Sequence, residues 1–125
     1  MLGYGFPEED YRRGLERQPD AVILDSGSTD PGPYMLGTGT TMVKPRAYVR
    51  DLKVILEGIG DKKIPLLIGS AGGAGFDGNV DYIVNTIKDL CGKSRNYQLF
   101  KHHEREGPLW PRLCEVKNRI DKPHA

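Results

Sequence analysis

Ile64-Pro65-Leu66-Leu67-Ile68-Gly69-Ser70-Ala71-Gly72-Gly73-Ala74-Gly75-Phe76-Asp77-Gly78 is a short apolar run that passes straight into a cluster of glycines and small residues. An unbroken apolar run of this length is the pattern of a strand buried on both faces of a parallel sheet. Pro65 is tolerable at the start of such a strand, where few ladder bonds are made. Downstream, Val80, Ile83, Val84, Ile87, Leu90 and Cys91 recur at helical spacing and predict a helix, with Asp77 or Asn79 as N-cap and Gly92 as its stop. Strand, glycine loop and helix in this order form half of a βαβ unit.

The other half lies upstream. Ala21-Val22-Ile23-Leu24, closed by Asp25, predicts a second buried strand, and a helix from Pro45 carries Val49, Leu52, Leu56 and Ile59 at helical spacing. A first helix opens near Pro7-Glu8-Glu9-Asp10 and ends before Pro19, with its carboxylates at the positive end of the helix dipole. Residues 26 to 41 are so rich in Gly, Pro, Ser and Thr that they predict a long loop. Right-handed crossovers make the two strands parallel and bring the loops after Asp25 and Ile68 to one edge, as a ligand crevice. The expected fold is α/β, a parallel sheet with flanking helices in a Rossmann-like, three-layer arrangement over residues 1–100. Tyr97-Gln98-Leu99-Phe100 is a candidate third strand. Residues 101–125 read as a charged, weakly structured tail with one short helix from Arg112 to Ile120, and they hold all three histidines, His102, His103 and His124.

The 125 residues and 38% hydrophobic content fit one small globular domain, and a net charge of +1 supplies no field for nucleic acid or an anionic membrane. The charge is unevenly divided: residues 1 to 91 carry 10 basic and 13 acidic side chains, and residues 92 to 125 carry 8 and 4. No apolar run approaches the roughly 20 residues of a membrane span. Met1 to Pro7 has neither the basic start nor the apolar core of a signal peptide, and the two cysteines, Cys91 and Cys114, match no disulfide scaffold or CxxC motif. A reduced, cytoplasmic protein is expected. Fourteen of the 16 glycines lie at or before Gly78, so function is sought in the loops.

Asp25-Ser26-Gly27-Ser28-Thr29-Asp30 places two carboxylates and three hydroxyls at a strand's C-terminal end. Asp25 and Asp30 are the candidate catalytic residues, as general base or as oxygen ligands of a divalent cation, and Asp25 is favoured because a buried carboxylate after a strand is costly unless used. Turns that satisfy their own backbone explain the same residues equally well. Gly73 to Gly78 matches GxGxxG, but neither a ribose-binding acid about 20 residues on nor a Walker lysine accompanies it. What survives is a loop whose backbone amides face an anion, giving Ser26, Gly27, Ser28, Thr29, Gly69, Ser70, Gly72, Gly73 and Gly75 as candidate ligand-binding residues. A tight turn packing helix on strand competes with that reading on even terms. The histidines have no third ligand at useful spacing, and no metal or cofactor is assigned.

Leu2-Gly3-Tyr4-Gly5-Phe6-Pro7, then Asp25 to Tyr34 with Leu36-Gly37-Thr38-Gly39, then Ile64 to Gly75 are three motifs in an order that resembles the N-terminal part of the acyclic terpene utilisation (AtuA-like) family, over about residues 2–90. The resemblance implies a bacterial cytoplasmic protein in the catabolism of branched acyclic substrates, with a small-molecule or acyl-CoA-like ligand. It supplies no assigned catalytic residue, so an enzyme and a binding domain both fit it. Family chains begin with a strand ahead of the Gly-Tyr-Gly-Phe-Pro motif and continue past residue 92, so the domain is expected to be incomplete at both ends. The other reading is a non-enzymatic interaction or assembly subunit, as a homo-oligomer or with a larger partner, or an inactive fragment of a longer protein.

Overall fold

The computed structural model describes residues 1–28, 30–60, 62, 64–92, 97–101 and 114–118, the last two segments as backbone. The described residues form an α/β mix: α1 (Glu8–Glu16), β1 (Val22–Asp25), α2 (Gly32–Thr38), α3 (Pro45–Ile59), β2 (Leu66–Gly69), α4 (Asp77–Cys91), β3 (Tyr97–Lys101) and β4 (Cys114–Asn118). As the sequence predicts, β1 and β2 are adjacent and parallel, in register from Val22 opposite Leu66 to Asp25 opposite Gly69.

The sheet is not parallel throughout. Its order is β1-β2-β4-β3, with β4 antiparallel to both β2 and β3. β4 follows a strand, so the crossover argument that makes β1 and β2 parallel does not reach it. β4 also replaces the helix expected over residues 112–120: Cys114 and Val116 alternate with Glu115 and Lys117, which is the period of a strand. His102, His103 and His124 lie outside the described residues.

One face of the β1–β2 pair is closed. Leu66 and Ile68 are fully buried, with Val22 and Leu24 packed beside them, under Tyr48, Leu52, Ile55 and Ile59 of α3 and Val80, Ile83, Val84 and Ile87 of α4. The opposite face is not closed by the described residues, since Ile23 is 73% exposed. The apolar run therefore marks two apolar faces of which one is covered. On α3 the buried stripe is Tyr48, Leu52, Ile55, Leu56 and Ile59, and Val49 is exposed. α2 forms inside the predicted loop because Pro31 and Pro33 occupy the N-cap and first turn, where no helical N–H is missed, and Gly39 closes it in the left-handed region.

The N-terminus is fastened to this core. Leu2 is buried and its amide donates to the Asp25 carbonyl at 2.9 Å. The amides of Gly3 and Gly5 both donate to Asp51 Oδ2, at 2.7 and 3.0 Å, and Arg50 Nε donates to Oδ1 at 2.8 Å. Asp51 is 2% exposed, so the carboxylate is a buried charge held by two amides and a neighbouring guanidinium. Tyr11 of α1 donates its hydroxyl to the Ile55 carbonyl at 2.8 Å. No helix among the described residues is long and apolar enough to cross a membrane.

Asp51→Ala strands two amides and should cost about 2–4 kcal/mol, read as a lower urea midpoint at unchanged slope; Asp51→Asn, which keeps an acceptor, should recover part of it. Burial pushes the Tyr11 phenol up from 10.0 to about 12, against a smaller lowering by Arg12. The unfolded chain releases this proton first, so the contribution is whole below pH 10 and is lost as the pH rises to about 12. Over that window wild-type stability should fall more steeply than that of Tyr11→Phe, in parallel urea titrations.

Candidate functional site

The exits of β1 and β2 meet at one edge of the sheet. The Ser26 amide donates to the Gly69 carbonyl at 3.0 Å, extending the ladder by one residue. Ser26 is fully buried and its Oγ accepts the Gly72 amide at 3.2 Å. A Cβ on Gly27 would collide with the Ser70 side chain and stand 2.7 Å from the Gly73 carbonyl oxygen, so only glycine lets the two loops touch. The expected residues are brought together as predicted, but as loops packed on each other.

The glycine loop curls on itself. Ser70 has φ 49°, and the Gly73 and Gly75 amides donate to the carbonyls of Ser70 and Ala71 at 2.9 and 3.2 Å. Asn79, nearly fully buried, accepts the Ala74 amide at 3.4 Å and donates Nδ2 to the Thr40 carbonyl at 3.3 Å. The amides of Gly72, Gly73 and Gly75 are thus engaged inside the protein, where the sequence reading turned them toward an anion. Gly69 lies in the ladder opposite Asp25. Asn79 is no N-cap: that position is Phe76, without a side-chain bond.

Asp25 is exposed, which corrects the expectation of a buried carboxylate. It alternates with Leu24 onto the open face, alongside Ile23, and its Oδ1 accepts the Gly27 amide at 3.1 Å in a local Asx turn. Asp30 is exposed just ahead of α2, and Ser28 and Ser70 are half-buried. Thr29 lies outside the described residues. The polar groups offered at this edge are therefore carboxylates and hydroxyls. Among the described residues no group of three or more His, Cys, Asp or Glu could hold a metal ion, and Cys91 is buried.

Sequence reading does not single out Met35, Tyr48 or Asp51, and it offers Asn79 only as an N-cap, where the side chain instead joins the glycine loop to Thr40. Tyr48 and Asp51 were legible in principle, since they fall four and one residues before Leu52 on the inward side of α3. Tyr48 is completely buried; Ser26 and the backbone of Met42 and Val43 lie around its hydroxyl, none in a geometry that completes a hydrogen bond. Burial raises its pKa. Met35 is 2% exposed and packs on Gly73, whose φ of 119° and lack of a side chain leave the space.

Comparison with known proteins gives no match to a family model, to a curated protein or to a solved structure.

Ser26→Ala removes the acceptor of a buried amide and should cost about 1–3 kcal/mol. Tyr48→Phe should be neutral or stabilising by up to about 1 kcal/mol, because it deletes a buried hydroxyl that has no partner. Urea denaturation of both variants checks the pair, and a loss at Tyr48→Phe as large as at Ser26→Ala would show the hydroxyl to be bonded.

Proposed function

We propose that this chain is a non-enzymatic interaction or assembly domain whose partner covers the sheet face carrying Ile23 and Leu67. The observation behind this reading is the exposure of Ile23, in the middle of β1 and in register with Leu67, while the other face of the same strands is closed. Parallel strand pairs are ordinarily covered on both faces, and an open apolar face beside an edge strand is a docking template. β1 is an edge strand of this sheet. A surface laid on that face would complete the three-layer, Rossmann-like arrangement that the sequence leads one to expect. The partner tested is a second copy of this chain.

A second reading rests on the meeting of the β1 and β2 exits: a ligand-binding or catalytic domain of the acyclic terpene utilisation type, taking a small acidic or acyl-CoA-like metabolite at Asp25–Asp30 and Gly69–Gly75. Both readings take the protein to be cytoplasmic. They separate in solution. Light scattering over a concentration series should show wild type self-associating and Ile23→Glu monomeric, with the same circular dichroism and urea midpoint. A wild type that stays monomeric while coenzyme A raises its Tm would reverse the order of the two readings.

A further inference from the structure

α2 lies against the glycine loop and is anchored there by one side chain. Met35 is buried, with its Sδ and Cε 2.7 and 3.0 Å from where a Cβ on Gly73 would stand. Its neighbours Tyr34 and Leu36 are large, apolar and exposed. The backbone hydrogen bonds of α2 stay within its own segment, Met35 N–H to the Pro31 carbonyl at 3.0 Å and Gly39 N–H to the Met35 carbonyl at 2.8 Å; Thr38 Oγ1 donates to the Tyr34 carbonyl at 2.9 Å and also lies 2.8 Å from Thr40 Oγ1, an exposed hydroxyl pair that spans Gly39. α3 packs on α4 and α1 on α3, and on α2 Met35 is the buried residue. Immediately beyond it the chain is tied down again, through Asn79 Nδ2 to the Thr40 carbonyl and the Met42 amide to the Gly72 carbonyl. Between these fixed points and the helix lies Gly39, with φ 69° and open space around it.

An element with internal backbone hydrogen bonds, a single buried anchor and one exposed hydroxyl pair to the chain beyond it can swing out by giving up that one pair to water, and such elements occupy the low-stability end of a fold. We propose that α2 is a hinged lid, with Met35 as latch and Gly39 as pivot, and that its opening frees an apolar slot beside Gly73 and Met42. The side chain that leaves the slot is an unbranched four-atom chain, so the group that fits is the end of an unbranched acyl chain. The motion goes beyond the interaction reading; the slot's occupant rests on the ligand-binding reading.

Hydrogen exchange by mass spectrometry on the full chain tests the two separately. In wild type, amides of residues 32–39 should exchange at least about tenfold faster than those of α3 and α4. Met35→Ala should speed residues 32–39 by about tenfold more and leave α3 and α4 unchanged, and Met35→Leu, which refills the space, should restore the slow rate. Protection of α2 equal to that of α3, or a rise in exchange throughout Met35→Ala, would overturn the lid. Butyryl-coenzyme A is the probe for the occupant, expected to alter exchange over residues 32–39 and to raise Tm. Local opening without any effect of the probe keeps the lid and rejects the ligand; a raised Tm with uniform exchange keeps the ligand and rejects the lid.

Discussion

The hydrogen bond from the Gly72 amide to the buried Ser26 hydroxyl joins the ends of two strands that are otherwise only four residues long. Parallel ladders of that length hold few bonds, and their ends fray unless something beyond the ladder fixes them. Ser26 does so twice, through its amide on Gly69 and its Oγ on Gly72. The arrangement is possible because Gly27 brings no side chain between the loops. From this junction the positions of the glycine loop, of Asn79 and of Met35 all follow, since each packs on or bonds to the turn that Ser26 holds.

A second constraint is a charge. Burying Asp51 is unfavourable by itself, and the site repays it with two amide donors and the Arg50 guanidinium. The amides come from Gly3 and Gly5, so a carboxylate on α3 fixes the path of the N-terminal segment and with it Leu2, whose amide bonds to the last residue of β1. The exposed Arg50 contributes little of this on its own. The same residues that resemble a family motif thus have a local structural explanation: glycines there let the backbone wrap closely around one buried oxygen.

Legibility in the sequence followed the strength of each local signal. β1, β2, α3 and α4 rest on long apolar patterns, and their placement and parallel pairing came out as read. α2 was hidden because Gly and Pro dominate its composition, while its helix depends on where the prolines fall, at the start, rather than on how many there are. β4 was hidden by charged neighbours that mask a two-residue period. The site was read at the level of segments and misread at the level of groups. Pattern locates Ser26, Gly27 and Gly72 at one edge, but which way each amide and carboxylate points depends on contacts between residues some 45 positions apart. Asp25 is the plainest case: whether a strand's last residue is buried depends on which faces are covered, and an apolar run carries no count of covers.

These directions bear on the choice between readings. An anion approaching this edge meets the exposed carboxylates of Asp25 and Asp30, and it finds the amides of Gly72, Gly73 and Gly75 already bonded. To bind there it must break internal hydrogen bonds that the junction relies on, or displace Met35 and use the apolar space beneath it. An apolar partner approaching Ile23 and Leu67 meets, among the described residues, the local Asp25–Gly27 bond beside exposed apolar surface, which gains by leaving water. The two surfaces therefore differ in the work that binding requires. Among the described residues the sheet face at Ile23 is open as it stands, whereas at the exit edge the apolar space beside Gly73 is filled by Met35 of α2.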